Sequence, residues 1–430
     1  MQSEPLQPEQ QSAQPEEPNK PKTKNVIKLL LFLALIVIGG VAFYSVGYHP
    51  WEHESPTTRE LPAFDPSLPK GKESFEASKA AWPGDEQGYW HAKLNGRVRS
   101  LYDAMLPHLA ARETSLEVGY IRDLIDGAQS MGQEALDAAA GSLAEDVSLT
   151  IWAITSDHPE MFWLNTQRFM DTCFSNPSFE GNTVDDQHLV LRGIDYGLTN
   201  EQIDQTQAKM DAVVQEALAS APKEGSDYEQ ALAIYRWLAS HVEYAKEVKG
   251  LAQNKASAEE QNKASEPYQG ADSALVGGIS VCSGYSRAYQ LLLGKLGIPC
   301  TIVYGLGDAL DPSSPHAWNL VCLGGRMGYT DTTWSDMEEQ RYEDDGSQWS
   351  GRLARGAYAD IKYFFMTDAD MKYDGRVAGR AEDALVGLNI KELLPACNTV
   401  IWEDDRYEPG GEGHLRQEPK PEEQQKGASN

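Results

Sequence analysis

The chain has 430 residues, enough for two modest domains with tails. Its 65 acidic residues against 37 basic ones give a formal net charge of −28, which argues against a nucleic-acid binder because phosphate backbones select basic surfaces. The same excess weakens attraction to anionic lipid or cell-wall polymer, and five cysteines without a Cys-x-x-Cys pair argue against a structural zinc site.

Residues 1–25 are rich in Gln, Pro and Glu and read as a disordered tail. No residue from Leu29 to Tyr48 is charged, and Leu29 to Ile38 is continuously apolar. About 20 such residues cross a bilayer as a helix, so 26–48 is expected to be a transmembrane segment. Lys20, Lys22, Lys24 and Lys28 precede it, whereas Glu52 and Glu54 follow. This asymmetry keeps the amino terminus cytoplasmic and sends the body outside. A cleaved signal peptide is the rival reading. No small-x-small cleavage site follows the run, and Tyr44, Tyr48 and Trp51 suit interfacial anchors.

Residues 49–90 contain Pro50, Pro56, Pro62, Pro66 and Pro69 among polar residues and read as a stalk. A mainly helical region is expected over 91–225. Val98, Leu101, Tyr102, Met105 and Leu109 recur at helical spacing, and Ala- and Leu-rich segments continue toward Ile154. From Ser156 to Trp163 the pattern breaks toward irregular or strand structure, and His188 to Ile194 has strand character. Thr199 with Gln202 and Ser226 with Glu229 are capping boxes. The second opens a helix with an apolar face of Ala231, Ile234, Tyr235, Leu238 and Val242. A second domain is expected over 226–400. Within it, 246–272 is a polar insertion, read equally as a lid or as a surface insertion. Residues 401–430 are acidic and Pro- and Gly-rich, and read as a disordered tail.

Cys282 follows Gly277-Gly278 and begins a helix whose inward face is Tyr285, Ala288, Tyr289, Leu292, Leu293 and Leu296, ended by Gly297 and Pro299. A thiol at a helix N-terminus meets unpaired N–H groups and the macrodipole, which favour thiolate and can hold an oxyanion. Cys300 to Gly305 reads as a strand, and 316–323 and 326–333 as two more joined by a two-residue turn at Gly324-Gly325. In that register position 316 opposes 333, and Asp331 lies two residues from the partner of His316 on the same face, within side-chain reach. A lone His in a strand is commonly a satisfied core residue, and a lone Cys an inert one. Cys282, His316 and Asp331 together read as nucleophile, base and orienting group. Trp318 and Trp334 are candidates for an acyl slot, or simply core aromatics. Excluding Cys282, the cysteines Cys173, Cys300, Cys322 and Cys397 could pair in three ways. Cys300 and Cys322 are expected to stay as buried thiols.

Four stretches carry a resemblance: 278–286 (Gly-Ile-Ser-Val-Cys-Ser-Gly-Tyr-Ser), 296–299 (Leu-Gly-Ile-Pro), 316–319 (His-Ala-Trp-Asn) and 329–334 (Tyr-Thr-Asp-Thr-Thr-Trp). Over residues 226–370, including Tyr363-Phe364-Phe365-Met366, the chain resembles the transglutaminase-like superfamily of cysteine enzymes, closest to bacterial membrane-attached or secreted members. Ser283 and Ser286 depart mildly from the common pattern. The resemblance implies an α+β fold with a papain-related core, a nucleophile helix packed on an antiparallel sheet. It assigns Cys282 as nucleophile, His316 as base and Asp331 as orienter, with no cofactor and no metal. The expected function is a membrane-anchored, extracytoplasmic thiol enzyme. It attacks an amide carbonyl of a protein or cell-wall peptide through a thioester, as peptidase, amidase or transamidase. The alternatives are a non-catalytic surface binding or scaffold module, and acyl transfer from a thioester donor in the manner of arylamine acetyltransferases, whose nucleophile sequence is absent here.

Overall fold

A computed structural model describes residues 69–120, 133–170, 183–184, 188–253, 256–309, 315–336, 363–379 and 389–399. The apolar run of 26–48, both expected tails and Cys173 lie outside these residues. Among the described residues no helix is long and apolar enough to cross a membrane.

The helices in chain order are α1 (Lys72–Ala81), α2 (Gly96–Ala110), α3 (Gln133–Asp157), α4 (Thr166–Met170), α5 (Asn200–Ala219) and α6 (Asp227–His241). They continue with α7 (Lys246–Gln253), α8 (Ala258–Ser265), α9 (Ala271–Leu275), α10 (Cys282–Leu296), α11 (Asp368–Tyr373) and α12 (Ile390–Leu393). The strands are β1 (Ser115–Tyr120), β2 (Thr183–Val184), β3 (His188–Arg192), β4 (Glu243–Tyr244) and β5 (Ile279–Ser280). After them come β6 (Cys300–Leu306), β7 (Pro315–Leu323), β8 (Arg326–Thr330) and β9 (Val377–Ala378).

Both capping boxes form. Thr199 and Gln202 close α5, and Ser226 and Glu229 close α6, each satisfying first-turn N–H groups that a helix cannot pair internally. The apolar face of α6 is buried, as is the Val98 to Leu109 stripe of α2. The expected helical region also contains a three-stranded sheet in the order β1-β3-β2. The Ser156–Trp163 break is where α3 ends and tight turns lead to α4.

The end of the Pro-rich segment is not a free stalk. α1 packs on the body, and Ser74 and Ser78 are fully buried. The Ser78 hydroxyl donates to Asp227 at 2.6 Å, and Asp227 also accepts the Gly324 N–H at 2.9 Å. One helix just before the body thereby fastens the β7–β8 turn to the start of α6. The prolines before it hid this, because the anchoring of 72–81 is polar and made by residues far away in sequence.

The four-stranded antiparallel sheet has the order β8-β7-β6-β9. Leu323 pairs with Arg326 across Gly324 and Gly325, whose φ values of 55° and 79° give the two-residue turn the glycines allow. α10 lies on this sheet, with the Asn319 amide donating to the Ser286 carbonyl at 2.9 Å. The N-terminal helices share the same core. The Trp90 indole donates to the Ile302 carbonyl at 3.1 Å, and the Gln290 amide to the Ser156 carbonyl at 2.9 Å. One buried cluster runs from Tyr89 to Cys397, so the two expected regions fold around a common interior.

Candidate active site

Cys282 is the first residue of α10, after Val281 in extended conformation. The Gly284 and Tyr285 N–H groups close on the Val281 carbonyl at 3.0 and 3.1 Å. Cys282 and Ser283 therefore carry the first-turn donors that the helix itself cannot satisfy. At the other end Gly297 adopts φ 77° and terminates the helix in the left-handed conformation.

The described part of the 246–272 insertion meets this helix start. α7 and α8 lead into a turn at Glu266–Tyr268, where the Val281 N–H donates to the Tyr268 carbonyl at 3.1 Å. A Cβ on Gly284 would sit 2.7 Å from the Tyr268 oxygen and 2.8 Å from that of Gly270, so backbone lies directly on the nucleophile helix. Arg168 of α4 holds the same turn through Glu266. Cys282 itself is fully buried.

β8 stops at Thr330 rather than running to 333, so the 316–333 pair does not form. The strand ends because the chain turns under its own aspartate. Asp331 Oδ1 accepts the N–H groups of Thr333 and Trp334 at 2.9 and 3.0 Å, and the Asp331 N–H donates to Tyr363 at 2.9 Å. His316 and Asp331 nevertheless lie on the same sheet face. His316 Nε2–H donates to Asp331 Oδ2 at 2.6 Å, with both side chains fully buried. The imidazole also interacts with Cys282. Nε2 is occupied by the carboxylate, which leaves Nδ1 as the nitrogen to serve the thiol.

Burial alone would push the His316 imidazole down, but Asp331 and Cys282 outweigh it and lift it to about 9. Burial would likewise raise the Asp331 carboxyl, yet the imidazole and the Arg376 guanidinium hold it at about 2. Burial pushes the thiols of Cys300, Cys322 and Cys397 up, so these three stay protonated and unreactive. All four described cysteines are free, as expected for Cys300 and Cys322 and with no bridge among them. Among the described residues no cluster could hold a metal ion.

Trp334 packs on the His316 ring at 5.4 Å between centroids, and fully buried Trp318 lies at 5.9 Å. Sequence reasoning missed Arg376. Its Nη1 donates to Asp331 Oδ2 at 2.6 Å, and its guanidinium stacks 3.7 Å over the Trp334 ring. Only a Gly-Arg pair in a polar turn marks it in the sequence, and such pairs are ordinary surface features.

Residues 215–338 match the family described as the Transglutaminase-like superfamily. The chain contains a transglutaminase-like domain. Its sequence is similar to kyphoscoliosis peptidase of Mus musculus, 29% identical over 117 residues, 25% of this chain and 16% of that protein. The Homo sapiens protein of the same name is 27% identical over 133 residues, 29% of this chain and 18% of its own length. The chain thus spans less than a fifth of the curated relatives it matches. Among solved structures, one described as a TGase has a TM-score of 0.28 at 14% identity, covering 52% of this chain and 63% of that one. A putative cysteine protease from Cytophaga hutchinsonii has a TM-score of 0.21 at 18% identity, covering 36% of this chain and 58% of its own. The matched segment begins in α5, and Arg376 lies outside it.

Proposed function

We propose that this protein is a thiol acyl-transfer enzyme in which Cys282 is the nucleophile, His316 the base and Asp331 the orienting group. The observation that carries the reading is a buried imidazole bonded on Nε2 to Asp331 and interacting with Cys282. His316 takes the thiol proton, Cys282 Sγ attacks an amide carbonyl, and the first-turn N–H groups of α10 stabilise the oxyanion. The C–N bond breaks as His316 returns the proton to the leaving amine, and a thioester remains. Water then completes a peptidase or amidase cycle, while an acceptor amine completes transamidation. The substrate class is protein or cell-wall peptide. The apolar run of 26–48 anchors the chain in the membrane with its amino terminus cytoplasmic and the domain outside.

The experiment is to incubate the full chain with a peptide mixture, quench with acid, and search for a mass adduct on the Cys282 peptide. An acyl adduct that is absent in Cys282→Ala supports the reading. Amide cleavage or transfer retained by Cys282→Ala would overturn it. Protease added to intact cells should remove the domain and spare the first residues. A released protein starting after residue 45 would refute the anchor.

Complete burial of Cys282 favours a second reading, a binding module that keeps the site without turnover. That reading predicts no acyl adduct under any peptide, together with retained binding in Cys282→Ala.

A further inference from the structure

Residues 367–379 run from a capped helix through its closure to a short strand beside the candidate site. Thr367 and Asp370 make a capping box that opens α11. Gly375, at φ 74°, closes it in the left-handed conformation, with its N–H on Lys372 at 3.1 Å and the Arg376 N–H on Met371 at 2.8 Å. These two bonds are the paired closure of a helix C-terminus, and they place Arg376 two residues beyond the cap. Immediately afterwards Val377 and Ala378 pair with Leu306 and Gly305 of β6, and Gly305 is itself the partner of His316. A helix end on one side and a strand pair on the other therefore pin the Arg376 backbone.

Its side chain is fully buried, which is costly for a cation without a defined partner. The partner is Asp331 Oδ2, the same oxygen that accepts from His316 Nε2. Asp331 Oδ1 is already held by two backbone N–H groups, so the carboxylate keeps its rotamer without the arginine. What Arg376 adds is charge beside Asp331 and a flat surface against Trp334, the ring that packs on His316.

We propose that Arg376 is a positioning residue of the acyl-transfer site: it offsets the Asp331 charge and backs Trp334, leaving the His316 imidazolium acidic enough to protonate the leaving amine. The inference rests on the acyl-transfer reading of Cys282 and His316, and it concerns a residue outside the matched family segment. A carboxylate opposed by imidazole alone would stabilise the imidazolium further and make it a weaker acid. Among the described residues, the charged and titratable groups around the pair are Cys282 from α10, Asp331 after β8, and Arg376 before β9. Asp374 and Tyr363 face the guanidinium in turn.

The test is an NMR titration of histidine-labelled full chain, with His316 assigned among the nine histidines by His316→Gln. Arg376→Met and Arg376→Gln should each raise the His316 midpoint by about one pH unit, and Arg376→Lys should return it toward the wild-type value. The glutamine variant keeps a donor for Asp331 and gives the reading if the methionine variant does not fold. An unchanged or lowered midpoint in a folded neutral variant would overturn the proposal. So would a lysine variant as displaced as the neutral ones. No substrate enters this measurement, so a missing acyl adduct would sink the enzyme reading and leave the Arg376 result standing.

Discussion

Among the described residues two buried histidines have carboxylate partners, and they are wired differently. His91, just before α2, has Nδ1 2.7 Å from Asp85 and Nε2 3.0 Å from Asp103, so both ring nitrogens are bound in carboxylate contacts. Those carboxylates are 38% and 52% exposed, open to water and screening. His316 gives only Nε2 to a carboxylate, keeps the other side for a thiol, and sits with partners that are 0% exposed. A histidine that ties a loop to a helix spends both nitrogens on structure. One that moves a proton must keep a nitrogen for the reacting group and have its other one fixed.

The sharpest way to break the comparison is activity. Cys282→Ala and His316→Ala should each lower thioester formation by at least about 10³-fold, whereas His91→Gln should leave it within about 2-fold. Single-turnover adduct formation on the Cys282 peptide measures the first pair and its His91 control. Comparable losses in all three variants would erase the distinction.

Stability should separate the two sites in the opposite sense. Asp331→Ala leaves the buried Arg376 with the more distant Asp374, 3.7 Å from Nε, in place of its close partner and should cost about 3–5 kcal/mol in urea unfolding. Asp85→Ala removes a half-exposed partner of His91 and should cost less than about 1 kcal/mol. Near-equal midpoints for the two alanine variants would show that Arg376 finds other compensation.

Gly305→Ala tests how tightly β9 is bound beside His316. The new Cβ would lie 2.1 Å from the Val377 carbonyl oxygen, so backbone must move. An expected loss of about 1–3 kcal/mol, with a shifted His316 resonance, follows from overpacking at that contact. The same substitution at Gly96, where nothing lies within 4 Å, should leave that resonance in place.

The smallest effect is a pH dependence confined to one site. Because His316 is raised to about 9, its contribution to stability is fully present below about 6.5 and is lost as pH rises through about 9. Because Asp331 is lowered to about 2, its contribution is present above about 3.8 and is lost as pH falls through about 2. The stability difference between wild type and His316→Gln should therefore be flat below about pH 6.5 and shrink from there up to about pH 9. A difference that grew with rising pH would contradict the ion-pair arrangement.

Local pattern sufficed wherever one element supplies both a residue and its frame. The capping boxes at Thr199 and Ser226, the Cys282 helix with its Gly297 end, and the Gly324-Gly325 turn all depend on neighbours a few residues away. The period of a strand put His316 and Asp331 on one face, and the transglutaminase-like domain was legible from the stretches around them. Contacts between distant segments were decided only in three dimensions. β8 ends early because Asp331 turns the chain beneath it, α1 is held by Ser78 on Asp227 across 149 residues, and Arg376 reaches Asp331 from 45 residues downstream. Propensity and periodicity describe what a segment can do with its own backbone. Which buried charge meets which depends on desolvation, and only packing against another segment creates it.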